Sequence, residues 1–485
     1  MRLPLSRLRE RGLTRRERIR VERSVACRPN PFPQPLSHKR ERGVQSRRGA
    51  ILGYYLELAL HSLKRNKVLT ALMVLALALG IGATITTLTV LRLLSGDPLP
   101  QKSAQLFYPQ VDPYPENRPF SRSGTKLPWL MSYVDAMNLL RAGKAQRQTA
   151  VALAQVKVKP RTTEGKPFYA DGVMTTADFF PMFDAPFQYG AGWSAADDDR
   201  RVQVAVISGF LNDKLYGGAN SVGRMIRVED RDFRIIGVLK SWAPQPRFYA
   251  LHLGSRNYGK GEGVFMPLQA ARADGIGPSM MMSYGSGSSM EHLETSPAIW
   301  LGVWLELPDA SAVSAYRLFL ADYARQQVAL GRFQKSRTAL SGLMAWLRGE
   351  HVVPDDARLQ AGLAFGFLLI CVVNTVGLLL AKCLRRSREI GVRRALGAGS
   401  GAIFAQFMVE AAIVGVAGGV LGLVFAELGL WGIRHQPAQY ASLAHLDLAM
   451  FLFTFVVALA ASLVAGLLPA WRACAVAPAP QLKAL

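Results

Sequence analysis

Lys382 to Glu410 reads KCLRRSREIGVRRALGAGSGAIFAQFMVE and lies between two long apolar runs. Between Lys382 and Gly401, the cations Lys382, Arg385, Arg386, Arg388, Arg393 and Arg394 face a single acid, Glu389. Such an excess beside membrane spans marks a cytoplasmic segment. Ile390, Ala395, Leu396 and Ala398 interleave with the arginines at helical intervals, so the spacing predicts a short helix at the membrane surface, apolar on one side and wet on the other. Gly397, Gly399 and Gly401 then loosen the backbone before the next span.

Before this stretch, Leu359 to Ala381 is an apolar run broken only by Asn374, whose amide suits a hydrogen bond to a neighbouring helix. Ile403 to Leu430 carries Glu410, close enough to its cytoplasmic end to reach the arginines, and Glu427 near the other end. Leu446 to Leu468 is a further run, followed by a short tail, 469–485. Towards the start, Val68 to Leu91 has no charge; as a helix it extends roughly 36 Å, enough to span a bilayer. Gly80, Gly82 and Ala83 give it a small-residue patch where another helix can approach. Leu52 to Lys64 has one apolar helical face, which predicts an interfacial helix over 51–67.

The expected fold is therefore a membrane protein, α-helical with four transmembrane helices at 68–92, 359–381, 403–430 and 446–468. A large α+β extracytoplasmic domain, 93–357, lies between helices 1 and 2. Lysine and arginine bias puts both termini and the loop 382–402 in the cytoplasm. Within the large domain, Val202 to Ile207, Met225 to Val228 and Phe233 to Leu239 read as strands, and Trp129 to Arg141 and Ser311 to Leu330 as helices. Ser255 to Ser296, with MMMSYGSGSS at its centre, reads as a loop. Met280, Met281 and Met282 there suit an apolar contact better than a soft-metal site, because no histidine stands at useful spacing.

A net charge of +24 first points to nucleic acid. Residues 1–50 alone hold fifteen Lys or Arg against four acids, whereas 93–357 hold twenty-nine against twenty-five. The large domain is nearly neutral, which removes the main support for nucleic-acid binding. The segment 1–50 has no apolar period and reads as a disordered basic extension or as the product of a start assigned too far upstream. Cys27, Cys371, Cys383 and Cys474 include none between residues 28 and 370, so the large domain folds without disulfides.

No G-x-x-x-x-G-K-[ST], H-E-x-x-H or G-x-S-x-G occurs. His292, beside Glu291 and Glu294, fits a solvated loop better than a catalytic or metal centre. The chain is expected to be no enzyme, with no catalytic, metal or cofactor site of its own, and to take its energy from a partner.

The run REIGVRRALGA at Arg388–Ala398 resembles the REIGIRRALGA signature of the FtsX/MacB-like permeases of ABC transporters. SLKRNK at Ser62–Lys67, GGANSVGRMIRVEDRDFRIIGVL at Gly217–Leu239 and LLPAWRA at Leu467–Ala473 are similar to other parts of that family, as is the order of one span, an external domain and three spans. The ATPase domain that some members carry has no counterpart in this sequence, and the loop lacks basic residues after Gly397.

The resemblance implies an inner-membrane permease, homodimeric or heterodimeric, bound to a cytoplasmic ABC ATPase subunit that holds ATP and Mg. A periplasmic adaptor protein and membrane lipid are further partners it allows. It implies a MacB-like core domain whose porter-like part is split around a β-rich insertion near 200–297. It also makes the loop an ATPase-coupling element with Arg385, Arg388, Glu389, Ile390, Gly391, Arg393, Arg394, Leu396 and Gly397 as its residues. Arg388, Glu389, Arg393 and Arg394 would make polar contacts and Ile390 the apolar anchor. The implied function is mechanotransmission, in which ATP-driven motion of the external domain exports or releases a peptide, drug or lipid-linked molecule, antimicrobial peptides among them. The alternatives are an FtsX-like signalling or scaffold protein that activates a periplasmic enzyme or sensor, and a membrane-tethered enzyme.

Overall fold

The computed structural model describes residues 66–160, 166–254, 257–285, 290, 292–353, 355–436 and 443–474. The expected extension 1–50, nearly all of the interfacial helix, the centre of the Gly/Ser/Met loop and the end of the tail lie outside them.

The described chain starts in α1 (Lys67–Ser95) and enters an α+β domain. Its elements run β1 (Leu106–Val111), β2 (Met131–Ser132), α2 (Tyr133–Ala142), β3 (Arg147–Lys159), β4 (Phe168–Thr175), α3 (Phe179–Met182) and β5 (Phe187–Gly190). There follow α4 (Ala195–Asp199), β6 (Val204–Ser208), α5 (Gly209–Tyr216), β7 (Met225–Val228), β8 (Arg231–Leu239), β9 (Val264–Pro267) and α6 (Leu268–Ala273). The domain closes with β10 (Met282–Ser283), β11 (Ala298–Glu306), α7 (Ala310–Ala329), β12 (Thr338–Gly342) and α8 (Leu343–Gly349). The chain then returns through α9 (Asp355–Arg385), the short α10 (Ser387–Ala395), α11 (Ser400–Arg434) and α12 (Leu448–Cys474).

Helices α1, α9, α11 and α12 are long and apolar enough to cross a membrane. α1, α9 and α11 extend past both ends of the apolar runs that predicted them, and α12 starts inside its run at Leu448 and continues past it to Cys474, because an α-helix continues beyond the hydrocarbon wherever its polar flanks still form i→i−4 bonds. Glycines let the spans approach. A Cβ on Gly82 of α1 would lie 2.7 Å from Phe425 Cβ of α11, and one on Gly422 would lie 3.0 Å from an Ile81 methyl. Gly80 faces Leu368 and Cys371 of α9 instead, while Ala83 points outward. The small-residue patch of the first span thus serves two neighbours. Asn374 is on the outer face of α9, not in a helix-to-helix contact within the chain.

In the α+β domain one mixed sheet runs β12-β1-β11-β3-β4-β9-β6-β8-β5. β11 and β12, from the end of the domain, pair with β1 from its start, so one side of the sheet joins distant sequence. β4 pairs antiparallel with β3 and parallel with β9, which makes the strands after residue 200 a continuation of the same sheet and not a separate one. The alternation along β7 and β8 puts Ile226, Val228, Phe233 and Ile235 inside, as apolar residues at period two require.

One apolar cluster seats this domain on the near ends of the spans. It combines Val90 and Leu94 of α1, Leu430 of α11 and Ala444 before α12 with Trp346 and Leu347 of α8 and with Phe248, Tyr249, Leu251 and Trp304 of the domain. Within it the Tyr258 hydroxyl lies 3.0 Å from the Leu94 carbonyl and 3.3 Å from that of Val352, so a single side chain of the 241–263 segment reaches both the end of α1 and the approach to α9. His252 lies flat on Trp129, ring centroids 4.0 Å apart, and pairs with Glu350 at 2.9 Å. The domain and the bundle share a core, so movement at these ends of the spans reaches the domain through packed side chains.

Candidate functional site

Helix α10 lies at the end of the bundle opposite the α+β domain. Its boundaries follow from local chemistry. α9 stops at Arg385, and the chain bends at Arg386, whose backbone angles of −102° and 6° are not helical. At the other end Gly397 takes φ +97°, a conformation that suits a residue without a side chain. Its N–H donates to the Arg394 carbonyl at 3.1 Å and the Ala398 N–H to that of Arg393 at 3.0 Å. These two bonds form a Schellman stop, so Gly397 terminates the helix as well as loosening the approach to α11.

The two faces of α10 separate the residues expected to act together. Ile390 is only 6% exposed and packs on Cys383, Ile403, Phe407, Ala470 and Ala473; the side chain expected as an outward anchor anchors the helix to its own spans. Gly391 is buried beside it. Arg393 pairs with Glu389 one turn earlier at 3.1 Å and donates to Gln406 of α11 at 3.0 Å. Arg394 donates to the Cys474 carbonyl at the end of α12 at 3.0 Å. Glu389, Arg393 and Arg394 are thus engaged within the chain, because a short amphipathic helix on a bundle spends its longest side chains on the helices beneath it.

Arg385, Arg388, Val392 and Leu396 are exposed, with Leu396 83% and Val392 48% accessible. Arg388, Val392 and Leu396 stand four residues apart and make one stripe, two apolar groups beside a cation. Val392 was not among the expected residues. Its spacing of four from Arg388 was the available signal, but Ile390 is larger and equally apolar, and periodicity alone does not say which side faces inward.

Lys382 departs from its expected place in the loop. α9 continues through it, and both Lys382 and Glu410 are fully buried. Lys382 Nζ lies 2.8 Å from Glu410 Oε2, and Arg386 Nη1 lies 3.3 Å from Oε1. A lysine tolerates such burial because a carboxylate meets it there.

The α+β domain also holds buried charges, each with partners. Asp135 accepts from Tyr323 at 2.7 Å, Arg332 at 2.9 Å and Ser132 at 2.5 Å. Glu262 accepts from Arg247 at 2.7 Å and Tyr249 at 2.6 Å. Both carboxylates are thus occupied by partners from the same domain. Burial pushes the Asp198 carboxyl up to about 6, although it accepts from the Ala177 N–H and the Trp193 indole. Among the described residues, no group of three or more His, Cys, Asp or Glu side chains is placed to hold a metal.

Residues 70–296 match the MacB-like periplasmic core domain, and residues 361–478 match the FtsX-like permease C-terminal domain. The chain belongs to the FtsX/MacB-like ABC transporter permease family. The second match contains all of α10 and the residues that hold it. Among its relatives are the pyoverdine export ATP-binding/permease protein PvdT of Pseudomonas aeruginosa, 28% identical over 63% of this chain and 41% of the relative. Another is the macrolide export ATP-binding/permease protein MacB of Chlorobaculum tepidum, 24% identical over 66% of this chain and 46% of that one. The permease thus spans less than half the length of these curated relatives. Its backbone also aligns with the periplasmic region of MacB from Actinobacillus actinomycetemcomitans, with a TM-score of 0.34 at 13% identity over 52% of this chain and 94% of that one.

Proposed function

We propose that this chain is the permease subunit of an ABC export system whose ATP and Mg are held by a separate cytoplasmic ATPase subunit docked on α10. The carrying observation is the outward stripe Arg388, Val392 and Leu396 on a helix tied to every span it touches. An exposed leucine and valine beside two arginines suit a groove with an apolar floor and an acidic rim. In this reading the bundle end bearing α10 is cytoplasmic and the α+β domain periplasmic, as the charge bias along the chain also favours. Two permease subunits, identical or not, would complete the assembly.

The shared core at the outer ends of the spans supports a mechanical role, because displacement of α9 or α11 reaches the domain through packed side chains and not through a flexible linker. The relatives named for pyoverdine and macrolide export favour export of a small amphipathic molecule or peptide. The test is to express the full chain with a candidate ATPase and measure co-purification and ATP hydrolysis. Retained binding is expected for the wild type and loss for Leu396→Asp with Val392→Asp. An ATPase that binds the double variant as well as the wild type overturns the docking site.

A further inference from the structure

The buried carboxylate of Glu410 grips both sides of the bend that leads into α10. Lys382 belongs to the last full turn of α9, while Arg386 is the bend residue itself; the two cations stand one turn apart and each takes a different oxygen of the same carboxylate. Held through both oxygens, the carboxylate cannot rotate to follow one cation and leave the other. Glu410 and Lys382 are both fully buried, so water does not compete for their charges. The other junction of α10 is built differently, with Gly397, Gly399 and Gly401 and, among the described residues, no buried ion pair. One end of the helix is held by a buried charge cluster, the other by hydrogen bonds from Arg393 and Arg394 ahead of the glycines.

We propose that Glu410 is a positioning residue that locks the angle between α9 and α10, so that a push on α10 moves α9 and α11 together instead of being absorbed by the bend. This role rests on the reading that a partner docks on α10. The lock itself is a property of this chain alone and can be measured without the partner.

Spin labels carried by genetically encoded residues at Leu369 on α9 and Leu396 after α10, both exposed, report the bend angle in the full chain reconstituted in a bilayer. The wild type is expected to give one narrow distance peak. Glu410→Gln keeps the shape and loses the charge. The pair Lys382→Met with Glu410→Leu refills the buried site with apolar side chains, which protects folding where the single change leaves a buried lysine unmatched, and Arg386, at the edge of the site with 12% of its side chain exposed, can turn towards water. Both are expected to lose the narrow peak, and the apolar pair is expected to retain wild-type melting. A narrow peak in the folded apolar pair overturns the lock, since packing alone then holds the bend.

With the ATPase added, labels at Leu318 and Leu369 report movement of the domain against α9. In the apolar pair, ATPase binding and hydrolysis are expected to persist while the ATP-driven shift is lost. A wild-type shift in that variant overturns the transmitting role. If no ATPase binds the wild-type chain, the docking reading fails and transmission fails with it, while the peak width still judges the lock.

Discussion

Ile390 and Leu396 are six residues apart on the same short segment, yet one holds the protein together and the other faces out. Ile390→Ala removes a side chain packed on Phe407 and Ile403, at a cost on the order of 2–5 kcal/mol if the site does not collapse. Leu396→Ala removes a group that is 83% exposed and should change stability by about 0.5 kcal/mol or less. Thermal melting of the purified permease separates these outcomes, and in an ATPase co-purification the ranking should invert. Gly397→Ala places a Cβ at φ +97° and should cost about 1 kcal/mol by strain alone, read by the same melt. Sequence spacing already marked Leu396 and Gly397 as part of this segment. It did not say that Ile390 points inward, because that depends on where α11 and α12 pack.

At the scale of elements, the segment 241–263 and helix α4 carry separate predictions. Tyr258→Phe removes one hydroxyl and no packing, so the domain should fold at a cost of about 1 kcal/mol. Hydrogen exchange at the amides just after α1 and before α9 should rise, since the tie between Leu94 and Val352 is lost. Unchanged protection would remove Tyr258 from the joint. Asp198, on α4, gives a pH dependence whose sign is fixed. Its folded-state pKa of about 6 lies above the ordinary 3.8, so the fold binds the proton more tightly than the unfolded chain does. Its contribution to stability is therefore greatest below 3.8 and is lost as pH rises through about 6. Asp198→Asn should gain melting temperature relative to the wild type between pH 4 and 7, and a constant difference across that range would refute the assignment. The strands and helices around these residues were legible because apolar residues repeat at two or near 3.6. The side-chain ties were not, because Tyr258 reaches residues 164 and 94 positions away.

For the whole molecule, the bundle and the domain are joined through a core that holds Leu94, Leu430 and Trp346 together. Gly418→Leu should test the bundle: a Cβ there already lies 3.2 Å from Leu77 Cβ, so a branched side chain forces α1 and α11 apart. Loss of the folded chain in detergent, or a fall in its melting temperature, is the expected result, whereas Gly377→Leu on the open face of α9 should be tolerated.

The linear chain settled the number of spans, their order around a large α+β domain and the position of the basic helix between the second and third. Bilayer thickness, helical rise and charge bias act on contiguous stretches, so each can be read locally. Tertiary structure alone decided that Lys382 is buried, that Glu410 meets it, and that Val392 and Leu396, not Ile390, face away from the bundle. Those outcomes depend on which helices lie side by side, and an apolar or charged residue carries no local mark of the partner that packing will bring to it.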